Sequence, residues 1–200
     1  MAKQITSNCD FIFGASGAKS LPDELVPEVA FAGRSNVGKS SLINLLVNSK
    51  KAARVSSKPG CTRQINFYSM YSNKFRLVDL PGYGYSCAGK EEIAQYLGLV
   101  EYYLTQRENL RRVFVLIDGR IGLKEIDKDF ICWLTYNNID FSIVLTKTDK
   151  VNQKDLNTVL ESIQKWMNDK GMLTSRINTV SVRIRCELKN LKNEIFKFTQ

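Results

Sequence analysis

The octet Gly33-Arg34-Ser35-Asn36-Val37-Gly38-Lys39-Ser40 reads G-x-x-x-x-G-K-S, a spacing suited to holding a phosphate chain. Glycines at the two fixed positions let successive backbone N–H groups turn inward, so that Gly33, Arg34, Ser35, Asn36, Val37 and Gly38 cup a β-phosphate. Lys39 adds a point charge for the β- and γ-phosphates, and Ser40 offers a hydroxyl to Mg2+. A helix starting here aims its positive end at the same anion. Chance supplies this octet in about one chain in a hundred of this length. Its setting, an apolar run Glu28–Ala32 before it and a helical run Ser41–Leu46 after it, makes the phosphate reading sharper still.

Three further stretches extend the chemistry. Asp79-Leu80-Pro81-Gly82 reads D-x-x-G at the end of an apolar strand, where a carboxylate can hold the Mg2+ shell and a glycine N–H can meet a γ-phosphate. Thr146-Lys147-Thr148-Asp149 ends another apolar strand; its carboxylate can accept from N1–H and the N2 amine of guanine, groups that adenine lacks. The stem of Lys147 can lie over the base. At the last strand, Val180-Ser181-Val182 can offer backbone N–H groups to that base. In the polar stretch Ser49–Arg63, Thr62 is placed to complete the Mg2+ shell while a γ-phosphate is present, with Gly60, Cys61, Arg63 and Gln64 beside it at the nucleotide. The candidate metal ligands are therefore Ser40, Thr62 and Asp79, and the candidate catalytic residues Lys39, Thr62 and Gly82. Together and in this order, the motifs specify a GTP-binding switch. An ATPase would require Asp149 to be irrelevant.

Motifs act only if the chain delivers them to one place. Short β-rich runs alternate with helical patterns from Glu28 onward: strands at Glu28–Ala32, Gln64–Tyr71, Lys74–Asp79, Val113–Ile117, Phe141–Leu145 and Ile177–Val182, helices at Glu91–Arg107, Glu125–Tyr136, Asn152–Lys170 and Glu187–Phe198. Continuous apolar strands separated by helices imply an α/β fold with a mostly parallel six-stranded sheet and helices on both faces. The hairpin around Ser72-Asn73 supplies one antiparallel edge strand. In such a sheet ligands gather at the carboxyl ends of the strands, where every motif above falls. Residues 1–27, punctuated by Gly14, Gly17, Pro22 and Pro27, read as an N-terminal lead-in to a GTP-binding domain over 28–200; Phe11-Ile12-Phe13 can pack on its body.

Gly33–Ser40, Pro59-Gly60-x-Thr62, Asp79-Leu80-Pro81-Gly82-Tyr83-Gly84-Tyr85 and Thr146–Asp149 resemble the EngB family of bacterial GTPases, from about Phe11 to the C-terminus. Asp118-x-Arg120 followed by Leu123-Lys124 also fits. The resemblance implies a Ras-like fold, Mg2+-dependent hydrolysis of GTP to GDP, a role in assembling the large ribosomal subunit, and a tie to cell division and septation. Two departures fall in the last guanine loop: Ser181-Val182 stands where the family usually has Ser-Ser, and a glycine common there is replaced around Arg185-Cys186.

Composition narrows the rest. No apolar run approaches the length of a membrane span, and the N-terminus lacks the apolar core of a signal peptide. Five scattered cysteines without a C-x-x-C pair argue for a reducing cytoplasm and against a zinc site. There is no histidine, which excludes histidine acid–base chemistry and histidine metal ligands. The net charge of +9 attracts polyanions. Lys50, Lys51, Arg54, Lys58 and Arg63 flank the expected switch, with Arg111, Arg112, Arg183, Arg185, Lys189, Lys192 and Lys197 elsewhere; ribosomal RNA is the partner favoured for the first group. A monomer is expected.

Ras-type hydrolysis places a glutamine just after D-x-x-G to orient the attacking water. Tyr83 stands there, so intrinsic hydrolysis should be weak and need a partner or an ion. The Asn36 carboxamide either helps hold K+ or simply stabilises the loop. A second function class remains beside the assembly GTPase: a division-site scaffold for which GTP is mainly a structural or switch ligand.

Overall fold

Alternation along the strands decides how the sheet is covered. In β5 (Leu110–Asp118), Val113, Val115 and Ile117 enter one core while Phe114 and Leu116 enter the other, the two-residue period of a strand buried on both faces. The computed structural model describes residues 9–48, 64–84, 90–172, 177–181 and 185–199. Its strands are β1 (Cys9–Ala15), β2 (Glu28–Gly33), β3 (Ile65–Met70), β4 (Phe75–Asp79), β5, β6 (Phe141–Thr146) and β7 (Ile177–Val180). They form one seven-stranded sheet in the order β1-β3-β4-β2-β5-β6-β7. All neighbours from β4 to β7 are parallel, and β3 runs antiparallel to both β4 and β1.

Among the described residues five α-helices cover it: α1 (Lys39–Leu46), α2 (Lys90–Gln106), α3 (Glu125–Tyr136), α4 (Gln153–Asp169) and α5 (Arg185–Phe198). Leu42, Ile43 and Leu46 of α1 join Leu191 and Ile195 of α5 over one face. Leu99 and Tyr103 of α2, Ile131 and Leu134 of α3, and Ile163 and Met167 of α4 cover the other. Asn152 caps α4, its side chain accepting from the Asp155 N–H at 2.8 Å, and Gly171 takes the left-handed turn beyond it at φ +70°.

The α/β architecture expected from the sequence is present with each of its six strands. The addition is β1, which lies inside the stretch expected as a lead-in and outside β3, so the antiparallel strand is flanked rather than outermost. Backbone pairing from Cys9↔Met70 to Ala15↔Ile65 holds it there. Phe11, Ile12 and Phe13 remain largely exposed on this strand, although the Phe11 ring meets Tyr68 edge-on at 5.7 Å. Their packing on the described body is thus slight.

At the amino end of β2, the buried Glu28 receives Arg107 at 2.9 and 3.0 Å, the Tyr103 hydroxyl at 3.0 Å and Arg76 at 3.2 Å. This cluster pins β2, β4, the end of α2 and the 22–24 segment together. The opposite, carboxyl end carries the motifs.

Candidate active site

The phosphate loop is the turn from β2 into α1. Gly38 adopts φ +107° and caps the helix, and Asn36 adopts φ +64°. The first intrahelical bond runs from the Leu42 N–H to the Gly38 carbonyl, so the amides of Lys39, Ser40 and Ser41 are first-turn donors outside the helix's own bonding, and the N-cap Gly38 offers them no side chain. Gly33 is needed for a different reason. A Cβ there would lie 2.9 Å from Val37 Cγ1 and 3.0 Å from the Leu116 carbonyl, so the loop can lie down on β5 only without one. Uncapped amides, a left-handed glycine and the buried Lys39 are a donor set matched to an anion.

β4 delivers Asp79 opposite Lys39, and the two buried side chains form an ion pair. The chain then folds back over the loop. The Leu80 N–H donates to the Phe31 carbonyl at 3.1 Å, the Tyr83 N–H to the Gly33 carbonyl at 3.2 Å, and the Ser35 N–H to the Tyr83 carbonyl at 3.3 Å. Gly82 lies so close that an added Cβ would stand 3.1 Å from Ser35 Oγ. Lys39 therefore meets Asp79, with Ser40 next in sequence on α1, and Gly82 lies against the loop at Ser35.

Tyr83 turns away from them. Its hydroxyl donates to Asp127 Oδ1 at 3.0 Å and its ring lies 4.8 Å from that of Phe130, both on α3. Burial first, and then the Asp127 carboxylate, push the phenol pKa well above its ordinary value, so it stays protonated.

The end where the sequence places the guanine base is built from β5, β6 and β7. Thr146 is buried, its hydroxyl 2.7 Å from the Val37 carbonyl and 3.2 Å from that of Ile117, which ties β6 to the phosphate loop. Lys147 takes a left-handed conformation at φ +60°, and its ammonium donates to the Asn36 carbonyl at 2.7 Å and to Asp118 Oδ2 at 2.9 Å. Asp118 is also gripped by Arg120, at 2.9 and 2.7 Å. Burial alone would raise the Asp118 pKa, but the hydrogen bonds from Arg120 and Lys147 outweigh it and hold the carboxyl well below the usual range. Thr148 and Asp149 open a short 3-10 turn. The Ser181 hydroxyl donates to Asp149 Oδ1 at 3.0 Å, so the carboxylate of one base loop is held by the other.

Gly60, Cys61, Thr62, Arg63 and Val182 lie outside the described residues, as do Lys50, Lys51, Arg54 and Lys58. Gln64 is described and exposed, and Val180 is buried at the end of β7. Of the other basic residues, Arg112 has internal work: it donates to the Phe141 carbonyl at 2.8 Å and stacks 4.1 Å over the Phe198 ring. Two residues escaped the sequence reading. Glu187, in the first turn of α5, accepts from the Ser181 N–H at 2.6 Å and the Thr148 hydroxyl at 3.2 Å, joining the two base loops. Asp127 accepts from the Lys124 N–H at 2.9 Å as well as from Tyr83. An acidic residue three places into a helix is a start signal readable in sequence, but its distant partners are not.

The chain is similar to known proteins. A family model described as 50S ribosome-binding GTPase matches residues 28–147. The chain is 73% identical, over the whole length of both, to a probable GTP-binding protein EngB of Wolbachia pipientis wMel. It is 56% identical over 164 residues, 82% of each chain, to a protein of the same description from Ehrlichia ruminantium strain Welgevonden. Among solved structures, a probable GTP-binding protein engB superposes with a TM-score of 0.66 at 25% identity, covering 86% of this chain and 98% of that one.

Proposed function

The chain belongs to the EngB family of GTP-binding GTPases, and on that premise we propose that it is a nucleotide-switched assembly factor for the large ribosomal subunit, needed for normal cell division and septation. The observation that carries the reading is the Lys39–Asp79 pair and the close approach of Gly82 to Ser35 of the loop, at one end of a sheet whose adjoining loops bring Asp149 and Ser181 together. In this reading the Gly33–Ser40 loop and Lys39 hold the phosphates, Gly82 meets the γ-phosphate, and Thr146–Asp149 with Val180–Val182 hold guanine. Ser40, Asp79 and Thr62 would hold Mg2+, which neutralises charge on the β- and γ-phosphate oxygens when bound. Gly60, Cys61, Arg63 and Gln64 flank Thr62 at the nucleotide. Residues 28–200 form the GTP-binding domain, and the 1–27 segment that leads into it also adds β1 to the edge of its sheet.

The Tyr83 side chain is committed to Asp127, so it does not stand where an attacking water would need orienting. Weak intrinsic turnover, raised by a partner or by K+ held through Asn36, is the consequence. Turnover in K+ buffer should exceed that in Na+ buffer, and equal rates would remove the ion from the scheme.

The 50S ribosome-binding description of the matching family supports the large subunit and its RNA as partner. No described helix is long and apolar enough to cross a membrane, and we place the protein in the bacterial cytoplasm as a monomer. The test is co-sedimentation with large ribosomal subunits, loaded with GDP or a non-hydrolysable GTP analogue, across a salt series. Tighter binding with the analogue, retained at moderate salt, is expected. Binding indifferent to nucleotide and lost with modest salt would reduce the +9 charge to non-specific attraction and favour the division-site scaffold.

A further inference from the structure

We propose that Asp127 is a positioning residue of the nucleotide cycle: it ties Arg34 of the phosphate loop and Tyr83, next to Gly82, into one hydrogen-bonded unit at the start of α3, so that a γ-phosphate contact at Gly82 is passed to that helix. The proposal rests on the GTP reading above. Asp127 is fully buried, and its two oxygens receive Arg34 Nε at 3.1 and 3.0 Å, the Tyr83 hydroxyl at 3.0 Å and the Lys124 N–H at 2.9 Å. These donors come from the phosphate loop, the stretch after D-x-x-G and the first turn of α3. A buried carboxylate is tolerated only when so satisfied, and losing it would strand the mostly buried Arg34 guanidinium.

The main chain closes the unit. Arg34 and Tyr83 form a parallel bridge, with Tyr83 N–H on the Gly33 carbonyl and Ser35 N–H on the Tyr83 carbonyl. Gly82 therefore cannot shift toward a ligand without dragging Tyr83, and Tyr83 cannot move without loading Asp127. Gly84 also lies against α3, since a Cβ on it would stand 3.0 Å from Ile126 Cδ1. A line of rings continues the contact into the helix: Tyr83 to Phe130 at 4.8 Å, then Phe130 to Trp133, stacked at 6.3 Å. The burial that keeps the Tyr83 phenol protonated keeps this donor in place at any working pH.

Trp133 makes the coupling measurable. The chain has two tryptophans, so Trp166→Phe leaves Trp133 as the sole reporter. In that background, emission should differ between GDP and a non-hydrolysable GTP analogue. Tyr83→Phe and Asp127→Asn should erase the difference, weaken the analogue by at least about fivefold, and leave GDP affinity within about twofold. A merely structural Asp127 would lower the melting temperature and weaken both nucleotides alike, or leave the emission difference intact, and either result overturns the proposal. If Asp127→Asn fails to fold, Tyr83→Phe, which removes a single oxygen, decides alone. Failure of the reporter chain to bind either nucleotide would instead sink the GTP reading, and this inference with it.

Discussion

The two ends of β2 both bury charge, yet they do it with different cations. At the amino end Glu28 is closed by two arginines and a tyrosine, and Arg107 also lies over the Phe67 ring at 5.9 Å. At the carboxyl end Asp79 faces Lys39, and Asp118 shares Lys147 with the phosphate loop. A guanidinium holds a carboxylate in a rigid fork, whereas an ammonium on a four-carbon stem can exchange one oxygen partner for another. Arginine thus marks charge that stays within the fold, and lysine marks charge that can be handed to a ligand. The Arg34–Asp127 and Arg120–Asp118 pairs qualify the rule, rigid arginine contacts inserted into the exchangeable end.

Substitutions at the two ends should separate stability from binding. Among the described acceptors, Glu28→Ala leaves Arg76 only the Asp23 carbonyl and Arg107 only the Pro22 carbonyl and the partly exposed Glu24, and it should cost about 3–5 kcal/mol in urea unfolding, with GDP affinity of the folded fraction unchanged. A loss confined to nucleotide binding would erase the contrast between the ends. Asp149→Asn should do the reverse, weakening GTP about 100-fold in competition assays, with XTP gaining in its place and little change in unfolding. Unchanged GTP affinity would detach the carboxylate from the base. Gly33→Ala forces a methyl against Val37 and the Leu116 carbonyl, and about 1–3 kcal/mol of destabilisation should accompany a weaker phosphate loop.

The smallest effect concerns acid. Asp118 titrates below its ordinary value in the folded chain, so its stabilising contribution is complete above about pH 4 and fades as pH falls further, through the folded value. Arg120→Ala should bring the folded pKa back toward the ordinary one and flatten that part of the pH–stability curve. An unaltered curve would assign the depression to Lys147 alone.

Much of the site could be read directly. Gly33, Gly38, Lys39 and Ser40 work through one local turn, and a turn is encoded by adjacent residues. Asp79 and Asp149 were legible because strand ends in a parallel sheet share an edge, so a motif's place in the alternation gives its place in space. β1 was harder. Its Phe11-Ile12-Phe13 run lacks the alternation of a half-buried strand, and its position depends on backbone pairing with β3, which side chains do not announce. Arg112 entered the sequence reading only as part of the basic surplus, yet it stacks on Phe198, for a charge count cannot tell a solvated arginine from one lying on a ring.

By itself, then, the amino-acid order determined the α/β class, the phosphate-loop turn and the family, since each depends on neighbours in sequence or on a two-residue period. Only the tertiary structure decided that Glu187 would bridge the two base loops, that Lys147 would reach the Asn36 carbonyl, and that Asp127 would gather Arg34 and Tyr83. Those contacts join residues from 39 to 111 positions apart, except for Ser181 and Glu187. A buried carboxylate selects its donors by distance and desolvation after the chain has packed, and neither quantity is written in local sequence.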